Sequence, residues 1–212
     1  MCGRYTLAVE MDELAERFGC PKVELVFNGR YNVAPTNIMP VVVSAAGKRH
    51  LHFMQWGLVP SWSKDRNIGN KMINARIETA DQKPAFKDAY RRRRCLVPAT
   101  GYYEWQKQGA QKQPFYIHIP DRNLFAFAGL WDEWIEPEGK ILHSFTILTT
   151  DPVPSIAHLH NRMPYILPFD HEGLWLHGQR PLAVENQLEA YEVSTLVNRP
   201  LNDLPACIRP LK

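Results

Sequence analysis

Seventeen prolines and twelve glycines punctuate the 212-residue chain throughout, leaving short runs between them and no stretch that stands out as a linker. The runs at 40–43, 52–56, 94–97, 115–119, 124–130 and 145–149 are apolar or alternate apolar with polar, and β-branched and aromatic residues dominate them. That pattern predicts strands. In Phe115-Tyr116-Ile117-His118-Ile119 the alternation assigns Phe115, Ile117 and Ile119 to the core face. One segment has clear helical spacing: Leu7, Met11, Leu14 and Phe18 predict a helix over 7–18, with Thr6 as its N-cap and Gly19 as its stop. Weaker helical patterns lie near 84–90, 170–177 and 183–191. Many strands with a few peripheral helices give an α+β fold, one domain over residues 1–212 with a curled, barrel-like mixed β-sheet core.

Composition narrows the function classes. With 45% hydrophobic and 22% charged residues the chain is neither disordered nor rich enough in apolar runs for the ~20-residue span a membrane helix needs. The start, MCGRYTLAVEM, lacks the basic segment and long apolar stretch of a signal peptide, so a cytoplasmic protein is expected. A net charge of +3 permits a polyanionic partner without demanding one. The four cysteines are scattered and form no C-x-x-C pair, so neither a disulfide framework nor a cysteine zinc site is expected.

Cys2 is the most informative residue. Loss of Met1 would leave Cys2 with a free α-amine and a thiol on adjacent carbons. An α-amine with a pKa of about 7.7–8.0 is partly unprotonated at neutral pH, and the thiol is a strong nucleophile there. Such a 1,2-aminothiol reacts with an aldehyde first through nitrogen, as an imine, and then through sulfur, closing a thiazolidine ring. Three further clusters carry polar groups. In the run Cys95 to Trp105 a glycine turn presents Glu104 between two aromatics, a setting that desolvates a carboxylate and raises its pKa toward acid–base use. His158 and His160 sit two apart with no third ligand nearby, so one reads as a proton carrier and the other as structural. Asn74 and Arg76 suit the orientation of a reactive group and the pairing of phosphate.

Six blocks in order, MCGRY, YNVAPT, WGLVPSW, NARIET, CLVPATGYYEW and HNRMP, resemble the SOS response-associated peptidase (SRAP) family from residue 1 to about 168. The resemblance implies a protein that crosslinks itself to abasic sites in single-stranded DNA through Cys2 after autocatalytic loss of Met1. It implies that Asn74 holds the α-amine while Glu104 and His160 move protons. It places Arg4, Arg76 and Arg162 on the DNA backbone beside the lesion, with Trp62 and Trp105 stacking on bases; Trp56 is expected to pack in the core. Binding would then weaken steeply with salt. No metal or cofactor is implied, and a monomer suffices for the chemistry. The run Arg91 to Arg94 reads as a solvated face. Departures from the family pattern are a short segment before YNVAPT, Asn161 in place of a common Asp, and a second imidazole at His158.

Two other readings start from the same residues. N-terminal-nucleophile amidotransferases also begin Met-Cys-Gly, but here Arg4 follows and no Arg-Gly-Pro-Asp motif occurs. A non-covalent single-stranded DNA-binding module would make Cys2 incidental and binding indifferent to the lesion.

Overall fold

The computed structural model describes residues 2–22, 24, 26–109, 111–181 and 187–211. In chain order the elements are β1 (Tyr5–Leu7), α1 (Met11–Phe18), β2 (Arg30–Val33), β3 (Ile38–Ala45), β4 (Lys48–Trp56), β5 (Asn74–Arg76), α2 (Lys87–Arg92) and β6 (Arg94–Ala99). Then come β7 (Gly101–Gln108), β8 (Gln111–His118), β9 (Phe125–Ile135), β10 (Ile141–Thr150), β11 (Met163–Pro164), β12 (Ile166–Leu167), α3 (Glu172–Leu176) and β13 (Glu189–Glu192).

The expected curled sheet is a closed one. β10 runs parallel to β4; β4 pairs antiparallel with β3, β3 with β6, β6 with β9, and β9 returns to β10. Closure leaves these five strands without an edge, which removes the usual template for aggregation. The far half of β10 is covered by β5, which enters parallel to it where β4 has ended. A second, antiparallel sheet has the order β13-β8-β7-β1-β2. Only Thr100 separates β6 of the barrel from β7 of this sheet, so the run that carries Glu104 crosses directly from one sheet to the other.

Two glycine positions make these turns possible. Gly57 has φ +117°, and a Cβ there would lie 2.7 Å from the Gly69 carbonyl oxygen. A Cβ on Gly101 would lie 2.3 Å from the Tyr116 ring. The bare backbone at 101 lets Tyr116 donate to the Thr100 carbonyl at 3.1 Å and sit 3.1 Å from the Thr6 hydroxyl.

The first helix is shorter than its spacing suggests. It begins at Met11, and Leu7 belongs to β1, where ladder pairing with β2 and β7 overrides helical periodicity. Thr6 is not an N-cap; its hydroxyl lies 2.7 Å from that of Thr100. Gly19 does stop the helix in the left-handed conformation, φ 63°. The pattern at 183–191 is not a helix where it is described: Glu189–Glu192 form β13 along the open edge of β8, and residues 182–186 lie outside the described set.

The main core runs from Cys2 and Tyr5 through the barrel, and Trp56 is buried in it as expected. The second sheet is covered on both faces. Ile117 and Ile119 join the main core, while Tyr116 packs in a smaller cluster with Tyr103, Val193, Val197 and Cys207. Among the described residues no helix is long and apolar enough to cross a membrane.

Candidate active site around Cys2

Cys2 lies just before β1, fully buried, and it is held from both sheets. From the barrel, the Asn74 side-chain amide on β5 donates to the Cys2 carbonyl at 2.7 Å. From the second sheet, the Tyr103 backbone N–H donates to the Arg4 carbonyl at 3.0 Å, extending the β1–β7 ladder back toward the terminus. The Cys2 thiol itself donates to the Arg4 carbonyl over 3.7 Å. Asn74 therefore grips the carbonyl of Cys2, whereas the resemblance assigned it the amine. Its Oδ1 is buried and has no hydrogen-bond partner among the described residues, which leaves an acceptor beside Cys2.

Burial dominates the electrostatics. It pushes the Cys2 thiol well above its ordinary pKa, and the nearby Glu104 charge adds to the rise. Glu104 is itself buried on β7, and loss of water raises its pKa to about 7. A carboxyl poised there exchanges a proton readily in either direction at neutral pH. His160 is moved the other way, chiefly by burial, which favours its neutral form. His160 Nδ1 lies 3.0 Å from the Arg162 backbone nitrogen and 3.2 Å from its carbonyl oxygen, so the Arg162 backbone fixes the orientation of the ring. Glu104, Trp105, Lys112, His160 and Asn198 line a cleft of about 440 Å³, enough for a small ligand. His158 is exposed and lines no part of it.

The nine residues singled out by sequence are not all together. Cys2, Asn74, Glu104, His160 and Trp105 converge. Arg76 shares a face of β5 with Asn74, two residues on, and is exposed. Arg4 is half-buried, bonded to Asn32 Oδ1 at 2.7 Å and the Val197 carbonyl at 2.8 Å, with its guanidinium 5.9 Å from the Trp105 ring centre. Trp62 is 56% exposed and lines a separate cleft with Lys64 and Lys71. Arg162 differs most from its assigned place on the DNA backbone. It is 8% exposed, and its guanidinium bonds Asp151 at 2.6 Å, Glu78 at 2.8 Å and the Thr149 carbonyl at 2.7 Å. In this arrangement it anchors the turn that carries His160. The Arg91–Arg94 run is likewise only partly a solvated face. Arg93 pairs with buried Asp132 at 3.0 Å, and Arg94 lies over the rings of Tyr90 and Trp175.

Sequence reading missed the role of the tail. Asn32, fully buried, turns its side-chain amide to the carbonyls of Val197, Arg199 and Asn202 at 3.2, 3.0 and 2.7 Å. Asp203 accepts from the backbone N–H groups of Tyr31 and Asn32 and pairs with Arg30. Asn198, held in this way, accepts from Trp105 Nε1 at 2.7 Å and walls the cleft. No local signal marks this role: Asn32 reads as an ordinary polar residue of YNVAPT, and its partner Val197 lies 165 residues away. Asn32→Ala should cost about 2–4 kcal/mol, because a buried network and the anchor of Arg4 go together. Urea denaturation measures the loss, and limited proteolysis should show new cutting within residues 195–203.

Among the described residues no three His, Cys, Asp or Glu side chains are grouped to hold a metal ion, and all four cysteines are free thiols.

Comparison with known proteins gives a consistent set. A model of the SOS response associated peptidase (SRAP) family matches residues 1–200. Abasic site processing protein YoqW of Bacillus subtilis (strain 168) is 39% identical over 222 residues, covering 98% of this chain and 99% of its own. Abasic site processing protein HMCES of Xenopus tropicalis is 33% identical over 218 residues, covering 84% of this chain and 65% of its own. A crystal structure from Bacteroides thetaiotaomicron superposes with a TM-score of 0.88 at 26% identity, over 100% of both chains.

Proposed function

Because the chain belongs to the SOS response associated peptidase (SRAP) family, we propose that it processes abasic sites in single-stranded DNA by joining Cys2 covalently to the ring-opened sugar. The observation that carries this reading is a buried Cys2 held by Asn74 beside a Glu104 whose pKa is about 7. Hydrolysis of the Met1–Cys2 peptide bond, carried out by the chain on itself, frees the α-amine, and peptidase action is confined to that bond. The amine, accepted by Asn74 Oδ1, adds to the C1′ aldehyde to give a carbinolamine. Protonated Glu104 delivers its proton to the departing hydroxyl, water leaves, and a protonated imine forms. The resulting carboxylate takes the thiol proton, sulfur bonds to C1′, and the C=N pair moves to nitrogen, which keeps its proton as the ring N–H. The sum is aldehyde plus aminothiol giving thiazolidine plus one water. His160, whose ring burial biases toward the neutral form, relays protons at the mouth of the cleft.

The sulfur step explains why an aminothiol suits this task. An imine at C1′ acidifies the neighbouring C2′ proton and invites β-elimination, which breaks the strand. Ring closure by sulfur removes that electron sink. DNA would approach along exposed Arg76, Trp105 at the cleft wall, and Lys112 at its rim, with Trp62 as a more distant stacking surface. Arg4 contributes positive charge from behind, whereas the charge of Arg162 is offset by Glu78 and Asp151. The protein would act in the cytoplasm, on exposed single strands of the nucleoid, and as a monomer.

The test compares single-stranded DNA with and without one abasic site on a denaturing gel across a salt series. The expected result is a heat-stable band with the lesion alone, its rate falling steeply as salt rises. Binding of both DNAs without a band would instead favour a non-covalent single-strand binding module.

A further inference from the structure

Tyr5 and Tyr102 face one another across the β1–β7 ladder, and both side chains are fully buried. Neither hydroxyl has a hydrogen-bond partner among the described residues. Their rings need no hydroxyl to pack. Tyr5 is edge-on to Trp56 and Phe127 with ring centres 5.2 and 6.0 Å apart, and Tyr102 meets Phe127 at 6.0 Å. Phenylalanine would fill either place without the cost of an orphaned donor. Two such donors on one face therefore point to a partner that exists only at some stage of the chemistry.

The surroundings identify that partner. Tyr102 stands two residues before Glu104, so the two side chains share a face of β7. Cys2 lies three residues before Tyr5 at the end of the same ladder. Charge on the Cys2 sulfur acts on both phenols, and charge on Glu104 acts on Tyr102. Burial keeps both phenols protonated, so each retains an O–H that can donate a hydrogen bond. The Cys2 sulfur anion is the acceptor formed in the proposed reaction whose charge acts on both phenols, whereas the Glu104 charge acts on Tyr102.

We propose that Tyr102, with Tyr5, donates a hydrogen bond to the Cys2 sulfur as it ionises, stabilising the thiolate that closes the thiazolidine ring. The hydroxyls keep their protons; the thiol proton goes to Glu104. This assignment rests on the crosslinking reading for its purpose, but thiolate stabilisation is measurable without DNA.

The experiment is the pH-rate profile of iodoacetamide alkylation at Cys2 in the Met1-free protein, resolved from Cys20, Cys95 and Cys207 by peptide mass mapping. Tyr102→Phe and Tyr5→Phe/Tyr102→Phe are compared with wild type. The double variant should lose roughly tenfold in rate at pH 7, equivalent to one unit of thiol pKa, and regain it as pH rises. Its thermal midpoint should equal or exceed that of wild type, which separates the effect from unfolding. Abasic-site crosslinking should slow by the same factor and recover at the same pH. Superimposable profiles overturn the proposal even if wild type crosslinks normally. A shifted profile in a wild-type protein that forms no adduct would uphold the thiolate contact and fail the crosslinking reading.

Discussion

Cys2→Ser is expected to abolish the heat-stable adduct and to convert protection of the strand into cleavage. The variant keeps the α-amine, so it can still form an imine at C1′. Its hydroxyl is a far weaker nucleophile than a thiol at neutral pH, and no base in the site can ionise it to a useful extent. The imine then persists, and loss of the acidified C2′ proton breaks the DNA. Adduct yield should fall by roughly 10³–10⁶-fold, the scale seen when an acting nucleophile is removed. Borohydride added during the reaction should trap the surviving imine, and a denaturing gel should show shortened DNA without the reductant. Wild-type adduct yield from Cys2→Ser would contradict the role given to sulfur.

Glu104→Gln should slow crosslinking and stabilise the fold, with the two effects governed by the same buried proton. Its folded-state pKa of about 7 lies above the ordinary value of 4.5 because burial disfavours the carboxylate. Between those two pH values the folded protein holds a proton that the unfolded chain has released, so stability falls as pH rises through that window. Above pH 7 the full penalty is present, about 3 kcal/mol. Glutamine does not ionise and escapes it. The variant's stability advantage in urea should therefore be absent near pH 4, grow from pH 5 to 7, and level off by pH 8. The same exchange removes the acid that expels water and the base that takes the thiol proton. The crosslinking rate should fall by about 10²–10⁴-fold. A variant that gains no stability with pH, or reacts at the wild-type rate, would place Glu104 outside the chemistry.

The residues differ in how far their roles could be read from sequence, and the reason is range. Strands such as Phe125–Ile135 and Ile141–Thr150 announce themselves because the apolar pattern they need is local. Gly19 is legible for the same reason, since a left-handed cap is a demand on one residue. Cys2 and Glu104 could be singled out because their chemistry follows from immediate neighbours: a chain terminus in one case, two flanking aromatics in the other. A barrel-like sheet was expected, but the pairing that closes it was not legible. Closure depends on β10 lying parallel to β4, a pairing of residues about 90 positions apart that leaves no local mark. The same holds for charges whose partners are distant. Arg162 reads as a free cation until Glu78 and Asp151 are seen around it, and Arg94 reads as surface until Trp175 lies under it. Leu7 shows the converse error: its spacing to Met11 is helical, yet a strand buries it equally well.

The most direct measurement is the intact mass of the untagged protein after incubation with single-stranded DNA bearing one abasic site, with Cys2→Ala alongside. The expected species is the Met1-free chain plus the DNA less one water, formed by wild type and absent from Cys2→Ala. Retention of Met1 on the crosslinking protein, or the same adduct from Cys2→Ala, would contradict a reaction that begins at the amine and thiol of Cys2.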